Sequence, residues 1–429
     1  MKAASTANST TLGSPLQREP RAVLAWLMWG ATALFVLFQF FLQLSSGEIV
    51  DGLMKSFSLS AFGAGVLAST YYYVYVALQV PAGVMIDRFG PRRLLTMGAL
   101  ICALGCFLFG SSHFLSVVIV GRLLIGTGAA FAFVGSLNVI GKCFRADQFA
   151  FMAAIAETMG ISGTIIGGFF LADWVQRMGW HHSMIAAAGI AAVISGLIWL
   201  IVRDCPSGAI PTIPVQSAKM LCCDFYLLIK NPKAWINGVY SGLMFSIVTV
   251  FVALWAIPYM ELTHHLSLLT ASMVCNLVFI GIGVAGPVIA RLDRRMPLRR
   301  PLLITCSFIS AALMMIVIYV PHLTLMVIMG LMILLGVFAS SYVLTFSIAN
   351  EIVPPHMRGT SLGFTNALSV GTAPLLQPLV GLILHLSTRH STDTEYYAIH
   401  DYQMALIILP LLTLVAGILA MWMPNRKLT

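Results

Sequence analysis

Long apolar runs, separated by short polar or charged clusters, fill the sequence from residue 23 to residue 423. Twelve of these runs are long enough for a helix, which needs about 20 apolar residues to cross roughly 30 Å of hydrocarbon. Glycine, proline and internal Ser, Thr and Asn are frequent within them, which favours packed helices over a β-barrel of alternating strands. We predict an all-α integral membrane protein with 12 transmembrane helices. Spans 1 to 12 are residues 23–44, 59–86, 92–111, 114–141, 149–172, 181–202, 234–259, 268–290, 301–320, 323–349, 359–386 and 402–423.

Composition supports this fold class, and the distribution of charge predicts its orientation. The chain has 429 residues, of which 59% are hydrophobic and only 9% are charged, and its net charge is +9. If the N-terminus is cytoplasmic, 20 of the 24 Lys and Arg lie in the tails and loops on that side. The exceptions are Lys55, Arg177 and Arg389 in outer loops and Arg122 within a span. The positive-inside rule then predicts that both termini are cytoplasmic, and the basic excess indicates topology, not nucleic-acid binding.

The only sizeable interruption of the apolar pattern divides the chain into two sets of six spans. It contains Pro206, Pro211 and Pro214, followed by a stretch with amphipathic spacing. Span 5 ("FMAAIAETMGISGTIIGGFF") aligns without gaps on span 11 ("LGFTNALSVGTAPLLQPLVG"), with Gly160 opposite Gly371. The alignment indicates internal duplication or a chance similarity of two small-residue helices. We predict a tail at 1–22, bundles at 23–202 and 234–423, a cytoplasmic linker at 203–233 and a second tail at 424–429.

A charged motif connects spans 2 and 3 in the stretch "VPAGVMIDRFGPRRLL". It resembles the signature that transporters of the major facilitator superfamily carry at this place. The motif residues are Gly83, Asp87, Arg88, Gly90, Arg92 and Arg93. The corresponding stretch of the second half is degenerate, since Ala290 replaces the acid and Asp293 replaces a glycine. The resemblance implies a transporter of two six-helix bundles in a bacterial inner membrane.

Two further stretches resemble motifs of this superfamily. Arg122, Gly126 and Gly128 in "GRLLIGTGAAFAF" of span 4 resemble its buried-arginine motif. The glycines of span 5 resemble the motif of drug/proton antiporters, but the Gly-Pro pair that marks this motif is absent. This departure makes drug export less favoured.

The resemblance implies alternating access, in which the bundles rock about a central site and the inner loops form and release contacts. Asp87 is expected to act as a gate by lying near the first turn of span 11 ("RGTSLGF"), where free N–H groups attract an anion. The alternative is that the arginines only anchor the topology and Asp87 is a solvated surface acid. That alternative explains the basic residues but not the spacing of Gly83 and Asp87.

Two ionisable residues lie well inside spans, where charge is costly and usually faces a cavity. Glu157 of span 5 lies near the middle of the membrane, where desolvation favours its neutral form, and we predict that it carries or controls the coupling proton. The alternative is a buried hydrogen-bonded residue that ties helices together. Arg122 is expected either to take part in proton coupling or to hold helices together through backbone carbonyls.

Polar and aromatic residues at helical spacing predict a cavity for a small polar solute. Gln39 and Gln43 share a face of span 1, and Tyr71 and Tyr75 share one of span 2. For any single aromatic residue, packing or interfacial anchoring is the competing interpretation. The predicted cavity residues are Gln39, Gln43, Tyr71, Tyr72, Tyr75, Asn138, Tyr240, Trp255, Asn276, Asn366 and Gln377.

Enzymatic function is not indicated, because the sequence lacks a Ser/His/Asp grouping, a metal-binding cluster and a phosphate-binding loop. We expect no cofactor and no metal. The predicted function is transport of an amino acid, organic acid or similar nutrient by a monomer, through proton symport. The alternative is proton-coupled export of a siderophore or drug-like compound. The expected partners are the solute, protons and the lipid bilayer.

Overall fold

The computed structural model describes residues 22–44, 46–144, 149–203, 225–295, 299–320, 322–354, 357–387 and 397–425. Within these ranges the chain is helical and contains no strand. Most of the predicted linker lies outside the described residues. The all-α prediction is confirmed.

The first half consists of long helices with one short helix between the first two. Spans 1, 2 and 3 are the helices Ala22–Leu44, Ala61–Phe89 and Pro91–Ser111. The short helix Val50–Phe57 connects spans 1 and 2. Span 4 consists of Leu115–Ala129 and Ala132–Cys143, and spans 5 and 6 form the continuous stretch Phe149–Ile201.

The second half repeats this plan with more breaks. Span 7 comprises Pro232–Ser246, the π-helical segment Ile247–Trp255 and Ala256–His264, and spans 8 and 9 are Leu268–Arg295 and Arg299–Tyr319. Span 10 comprises Leu325–Ala339, a 3₁₀ turn Ser340–Val343 and Leu344–Glu351. Span 11 comprises Arg358–Gly371 and Ala373–Ser387, and span 12 comprises Ile399–Leu406, Ile408–Leu419 and a 3₁₀ turn Ala420–Trp422.

The described residues contain eleven helices that are long and apolar enough to cross a membrane, whereas the sequence predicts twelve. The difference arises where spans 5 and 6 join, because Ile155–Ile201 counts as one helix of 47 residues. Gly179 interrupts it with φ 79° and ψ 164°, a conformation that favours glycine. Each arm is longer than the roughly 20 residues that a crossing requires.

The motif between spans 2 and 3 owes its sharp turn to Gly90 and Pro91. Gly90 has φ 83°, which favours glycine, and it ends the helix Ala61–Phe89. Pro91 then begins the next helix at its first position, where a missing N–H costs nothing. At its other end, span 2 begins at Ser60, whose Oγ accepts a 3.3 Å hydrogen bond from the N–H of Gly63.

The helices pack in a pattern that relates the two halves. Span 5 lies against spans 1 and 8, and span 11 lies against spans 7 and 2. Span 1 corresponds to span 7 and span 2 to span 8 in the two halves, so spans 5 and 11 have corresponding neighbours. Spans 5 and 11 occupy equivalent places in the fold, which agrees with the gapless alignment of their sequences.

Two names describe the ends of the molecule from here on. The near end is where span 1 begins and span 2 ends at Phe89; the far end is where span 1 ends and span 2 begins at Ala61. Large apolar side chains are exposed along the outside of both halves, among them Leu100, Val193 and Met326. Such a surface suits a lipid environment, where apolar side chains need no burial in protein.

Candidate functional site

Polar side chains of spans 1 and 2 form a hydrogen-bonded cluster inside the first half. Gln39 Nε2 donates to Gln43 Oε1 at 2.6 Å and to the Tyr71 hydroxyl at 3.2 Å. The Tyr72 hydroxyl donates to the carbonyl of Gln43 at 3.1 Å, and the rings of Tyr71 and Tyr75 stack with centroids 5.5 Å apart. Helical period brings these residues onto facing sides of two helices, as the sequence predicts.

Arg122 of span 4 lies behind this cluster and is almost fully buried. Its guanidinium donates to the Leu42 carbonyl at 3.2 Å and to Ser46 Oγ at 2.6 Å. It also faces the ring of Tyr71, 5.2 Å from the centroid. These contacts join span 4 to the end of span 1, and the bond to Leu42 is a backbone-carbonyl contact of the kind that one of the two interpretations of Arg122 requires.

Glu157 of span 5 lies near residues of both halves. It lies within electrostatic range of the hydroxyls of Tyr75 in span 2 and Tyr342 in span 10. Its counterpart in the alignment, Leu368, packs tightly against Gly238 of span 7. The two equivalent helices therefore use this position differently: one presents a carboxyl group near residues of both halves, and the other fills a gap between helices.

Hydrogen bonds between the halves are concentrated toward the far end. In the part of the chain that the structure describes, four join span 2 to the second half. The Ala61 N–H donates to the Tyr397 hydroxyl at 2.7 Å, Ser69 Oγ to Gln377 Oε1 at 3.2 Å, the Tyr73 hydroxyl to the Pro374 carbonyl at 3.1 Å, and Asn366 Nδ2 to Gln79 Oε1 at 3.5 Å. Within the described residues, no hydrogen bond of span 2 to the second half lies between Gln79 and Phe89, about 15 Å at the helical rise.

A close approach of backbones seals the far end. A Cβ on Gly65 would lie 2.5 Å from the carbonyl oxygen of Gln377, so only glycine fits there. The N–H of Gly47 also donates to the carbonyl of Ala253 at 2.8 Å, across the two halves. The described contacts thus define a structure that is closed at the far end.

The remaining predicted cavity residues lie in several different places. Tyr240 bonds to Leu303 O and Ser341 within the second half, and Gln377 bonds to the Thr249 carbonyl at 2.7 Å. Asn276 lies in the far-end contact, where its Nδ2 donates to Ser272 Oγ. Trp255 is buried in the π-helical segment, and Asn138 is half-buried in span 4. Asn366 lies beside Gln79, close to the residues of span 2 described above.

The gate motif contacts its own half at the near end. Arg92 donates two hydrogen bonds to the carbonyl of Trp199 at 3.0 and 2.8 Å, and its guanidinium stacks 4.2 Å from that ring. This contact satisfies a free carbonyl at the end of span 6. Arg88 and Arg93 are exposed, and Gly83 and Gly90 are half-buried. The side chain of Asp87 lies outside the described residues.

Two polar contacts that the sequence analysis missed involve acids near helix ends. Arg299, with only 1% of its side chain exposed, donates from Nη1 and Nη2 to both carboxylate oxygens of Glu351 at 2.8 Å. Glu48 lies buried between the halves and accepts a 3.0 Å hydrogen bond from Ser272 Oγ. Glu351 and Arg299 flank spans, where charge is unremarkable in sequence. Glu48 lies in a connection that gives no periodic signal.

An all-helical fold whose spans 5 and 11 occupy equivalent places, with a buried polar cluster on spans 1 and 2, is typical of a membrane transporter, and the comparison with known families agrees. The family model described as Major Facilitator Superfamily matches residues 28–378. The chain belongs to this superfamily.

Curated relatives resemble part of the chain, and solved structures share its fold. The probable galactarate/D-glucarate transporter GudP of Escherichia coli (strain K12) is 26% identical over 268 residues, which are 55% of this chain and 59% of that protein. The chain thus matches about three fifths of that relative's length. A bacterial homologue of the human lysosomal transporter Spinster, in an inward-facing and unoccupied conformation, superposes with a TM-score of 0.76 at 14% identity, covering 94% of this chain and 97% of that chain. A D-xylose-proton symporter superposes with a TM-score of 0.73 at 17% identity, covering 95% and 99%.

Proposed function

We propose that this protein is a secondary active transporter that moves a small polar solute across a bacterial inner membrane by proton symport. The observation that carries the proposal is the position of Glu157, within electrostatic range of Tyr75 from one half and Tyr342 from the other. A carboxyl group placed between two moving bundles changes its hydration as they rock, and its proton affinity changes with it. Two of the similar proteins, the probable galactarate/D-glucarate transporter GudP and the D-xylose-proton symporter, support this class of solute and of coupling.

The solute site comprises the amide and phenol groups around Glu157. Gln39, Tyr71 and Tyr75 form its first-half side, and Gln79 meets Asn366 of the second half there. Amides and phenols both donate and accept, so they suit a solute with several hydroxyl, amide or carboxyl groups. The guanidinium of Arg122 is occupied by Leu42 and Ser46, so it positions helices and is not proposed to bind an acidic solute directly.

The transport cycle then alternates between closure at the two ends. The described state is closed at the far end by Gly65 against Gln377 and by Gly47 against Ala253. In the other state the near end closes, and Asp87 meets the first turn of span 11. With cytoplasmic termini, as the distribution of Lys and Arg favours, the described state faces inward. We propose that one chain suffices for the cycle.

The decisive experiment compares Glu157→Gln with the wild-type protein in proteoliposomes. Glutamine keeps the shape and the hydrogen bonding of the carboxyl group but cannot ionise. We expect gradient-driven accumulation of solute to collapse while counterflow exchange survives, since exchange requires no net proton movement. Candidate solutes come from a thermal-shift screen of amino acids, organic acids, sugar acids and sugars, because a ligand of the folded state raises its stability.

A matched control is Asp173→Asn, which removes an acid from the same helix near its far end, where Asp173 pairs with exposed Arg177 at 2.8 Å. It should leave accumulation intact. Accumulation by Glu157→Gln that still follows the proton gradient with wild-type pH dependence would contradict the proposed coupling site. Solute leaving loaded vesicles in exchange for protons would instead identify an exporter, the second candidate function.

A further inference from the structure

Glu48 is a buried carboxyl group in the contact between the two halves. It lies in the connection between spans 1 and 2, with 5% of its surface exposed. Its Oε1 accepts a 3.0 Å hydrogen bond from Ser272 Oγ of span 8, and Ser272 in turn accepts from Asn276 Nδ2 at 3.3 Å. The acid therefore belongs to the first half, while its described hydrogen-bonding side chain belongs to the second.

The packing around Glu48 leaves one of its oxygens without a partner. Oε2 is buried and has no hydrogen-bond partner among the described residues. Gly168 of span 5 closes the site from the first half, because a Cβ there would lie 2.8 Å from Asn276 Nδ2 and 3.0 Å from Glu48 Oε1. An ionised carboxylate with a buried, unpartnered oxygen is costly, whereas the neutral acid avoids most of that cost.

The surrounding elements supply few charges to offset an ionised Glu48. Cys275 of span 8 lies within electrostatic range of both Glu48 and Glu261 of span 7. The connection itself carries Asp51 and Lys55, which face Glu261. Arg122 of span 4 is held by Leu42 and Ser46. Burial raises the pKa of Glu48 from 4.5 to about 7, against the opposing hydrogen bonds of its backbone and Ser272.

We propose that Glu48 is a proton-binding site, distinct from Glu157, that must be neutral for the far end to close. The proposal rests on the alternating-access cycle proposed above. When the halves separate, Ser272 and Asn276 leave and water reaches the carboxyl group, which then ionises as an ordinary acid. A proton taken up from the far side is thus a condition for closing. Glu48 controls closure of the far end, whereas Glu157 couples solute movement to the gradient.

The sign of the pH dependence follows from linkage. The closed state holds the proton more tightly than the open state, so protonation favours closure. Below about pH 4.5 both states are protonated and closure has its full advantage. As the pH rises from about 4.5 to about 7, the ratio of closed to open molecules falls about tenfold per unit. Above that range both states are ionised and the ratio levels off.

The test measures the distance between Met178 and Met326, two exposed residues of different halves near the far end. Spin labels on unnatural amino acids leave the native cysteines untouched, and the full chain is reconstituted without solute. We expect the wild type to shift from the short to the long distance as the pH rises from 5 to 8. Glu48→Gln should keep the short distance from pH 5 to pH 8. If this variant shifts to the long distance as the wild type does, the proposal is overturned.

Ser272→Ala gives an independent readout that does not depend on the folding of Glu48→Gln. The lost hydrogen bond exists only in the closed state and stabilises the ionised carboxylate more than the neutral acid, so its removal should lower the ratio of closed to open molecules more at pH 8, where Glu48 is ionised, than at pH 5, where it is neutral. An equal loss at the two pH values would count against the site. Asp51→Asn, on the same connection, is the matched control and should keep the wild-type midpoint; loss of the response in this variant would assign the proton to Asp51 and overturn the proposal.

The same measurement separates this proposal from the proposed function. If the short and the long distance are both populated but their proportions do not change with pH, the Glu48 site alone is contradicted, because the molecule still alternates between two states. A single distance in every variant and at every pH would contradict alternating access, and with it both proposals. Glu157→Gln should leave the pH dependence of the distances intact, because the Glu48 site acts without solute; loss of that dependence would overturn the independence of the two proton sites.

Discussion

Arg122 Nη2 donates a 2.6 Å hydrogen bond to Ser46 Oγ, so the buried cation of span 4 is tied to the connection that carries Glu48 two residues later. The same guanidinium bonds the Leu42 carbonyl and faces the ring of Tyr71, which belongs to the proposed solute site. The Arg122 side chain therefore contacts both Tyr71 of the proposed solute site and the connection at the far end.

Arg122→Met is expected to lower the free energy of unfolding by about 1–3 kcal/mol, because it leaves the Leu42 carbonyl and Ser46 with buried, unsatisfied groups. Thermal unfolding in detergent measures this loss. Arg177→Met is the control: Arg177 is 74% exposed, so its ion pair contributes about 0–1 kcal/mol. Equal losses in the two variants would contradict a structural role for Arg122.

The bidentate pair of Arg299 and Glu351 is expected to stabilise the near end of the second half. Arg299→Lys loses one of two parallel hydrogen bonds from a buried side chain, and we expect a loss of about 1–3 kcal/mol in unfolding free energy. Arg300→Lys is the matched control, since Arg300 donates a single 2.6 Å bond to the Met423 carbonyl that an ammonium can replace. A control as unstable as Arg299→Lys would show that the second bond contributes nothing.

Sequence reasoning predicted best what depends on helical period and on hydrophobic length. The spans follow from apolar runs, and the cluster of Gln39 with Tyr71 follows from the face that each residue occupies. Helical period predicts on which side of its helix a residue lies, but not which residue it contacts. Gln377 and Asn276 could therefore be assigned to a polar surface but not to the far-end contact. Only the docking of the two halves decides that.

Residues outside the spans were harder to place, for a physical reason. Glu48 follows span 1 in a connection without periodicity, and its described hydrogen-bond partner, Ser272, lies 224 positions away. An acid in such a connection normally reads as a solvated surface group. Its burial depends on the contact with span 8 of the other half, and no local pattern in the sequence encodes that contact.

Asp87→Asn is expected to favour the state that is closed at the far end. A neutral side chain interacts less with the dipole at the start of span 11, and the lost contribution of about 0.3–2 kcal/mol corresponds to a several-fold change in the population of the near-end-closed state. Spin-label distances across both ends measure the two populations. Unchanged distributions together with unchanged transport would leave Asp87 as a solvated surface acid.

Gly65→Ala is expected to act in the opposite direction and hold the far end open. The added Cβ would lie 2.5 Å from the carbonyl oxygen of Gln377, a backbone atom that cannot rotate away, so spans 2 and 11 must separate. Transport should fall with the loss of closure, while the first half still folds, because the clash arises only when the two halves meet.

Gly63→Ala on the same helix is the control, since its Cβ would lie 3.4 Å from the Leu59 side chain, an ordinary contact. Labels at Met178 and Met326 should report the longer distance in Gly65→Ala and the wild-type distribution in Gly63→Ala. If Gly65→Ala instead keeps the short distance and full transport, the backbones of spans 2 and 11 do not need this close approach, and closure of the far end must depend on the hydrogen bonds of Ala61 and Gly47.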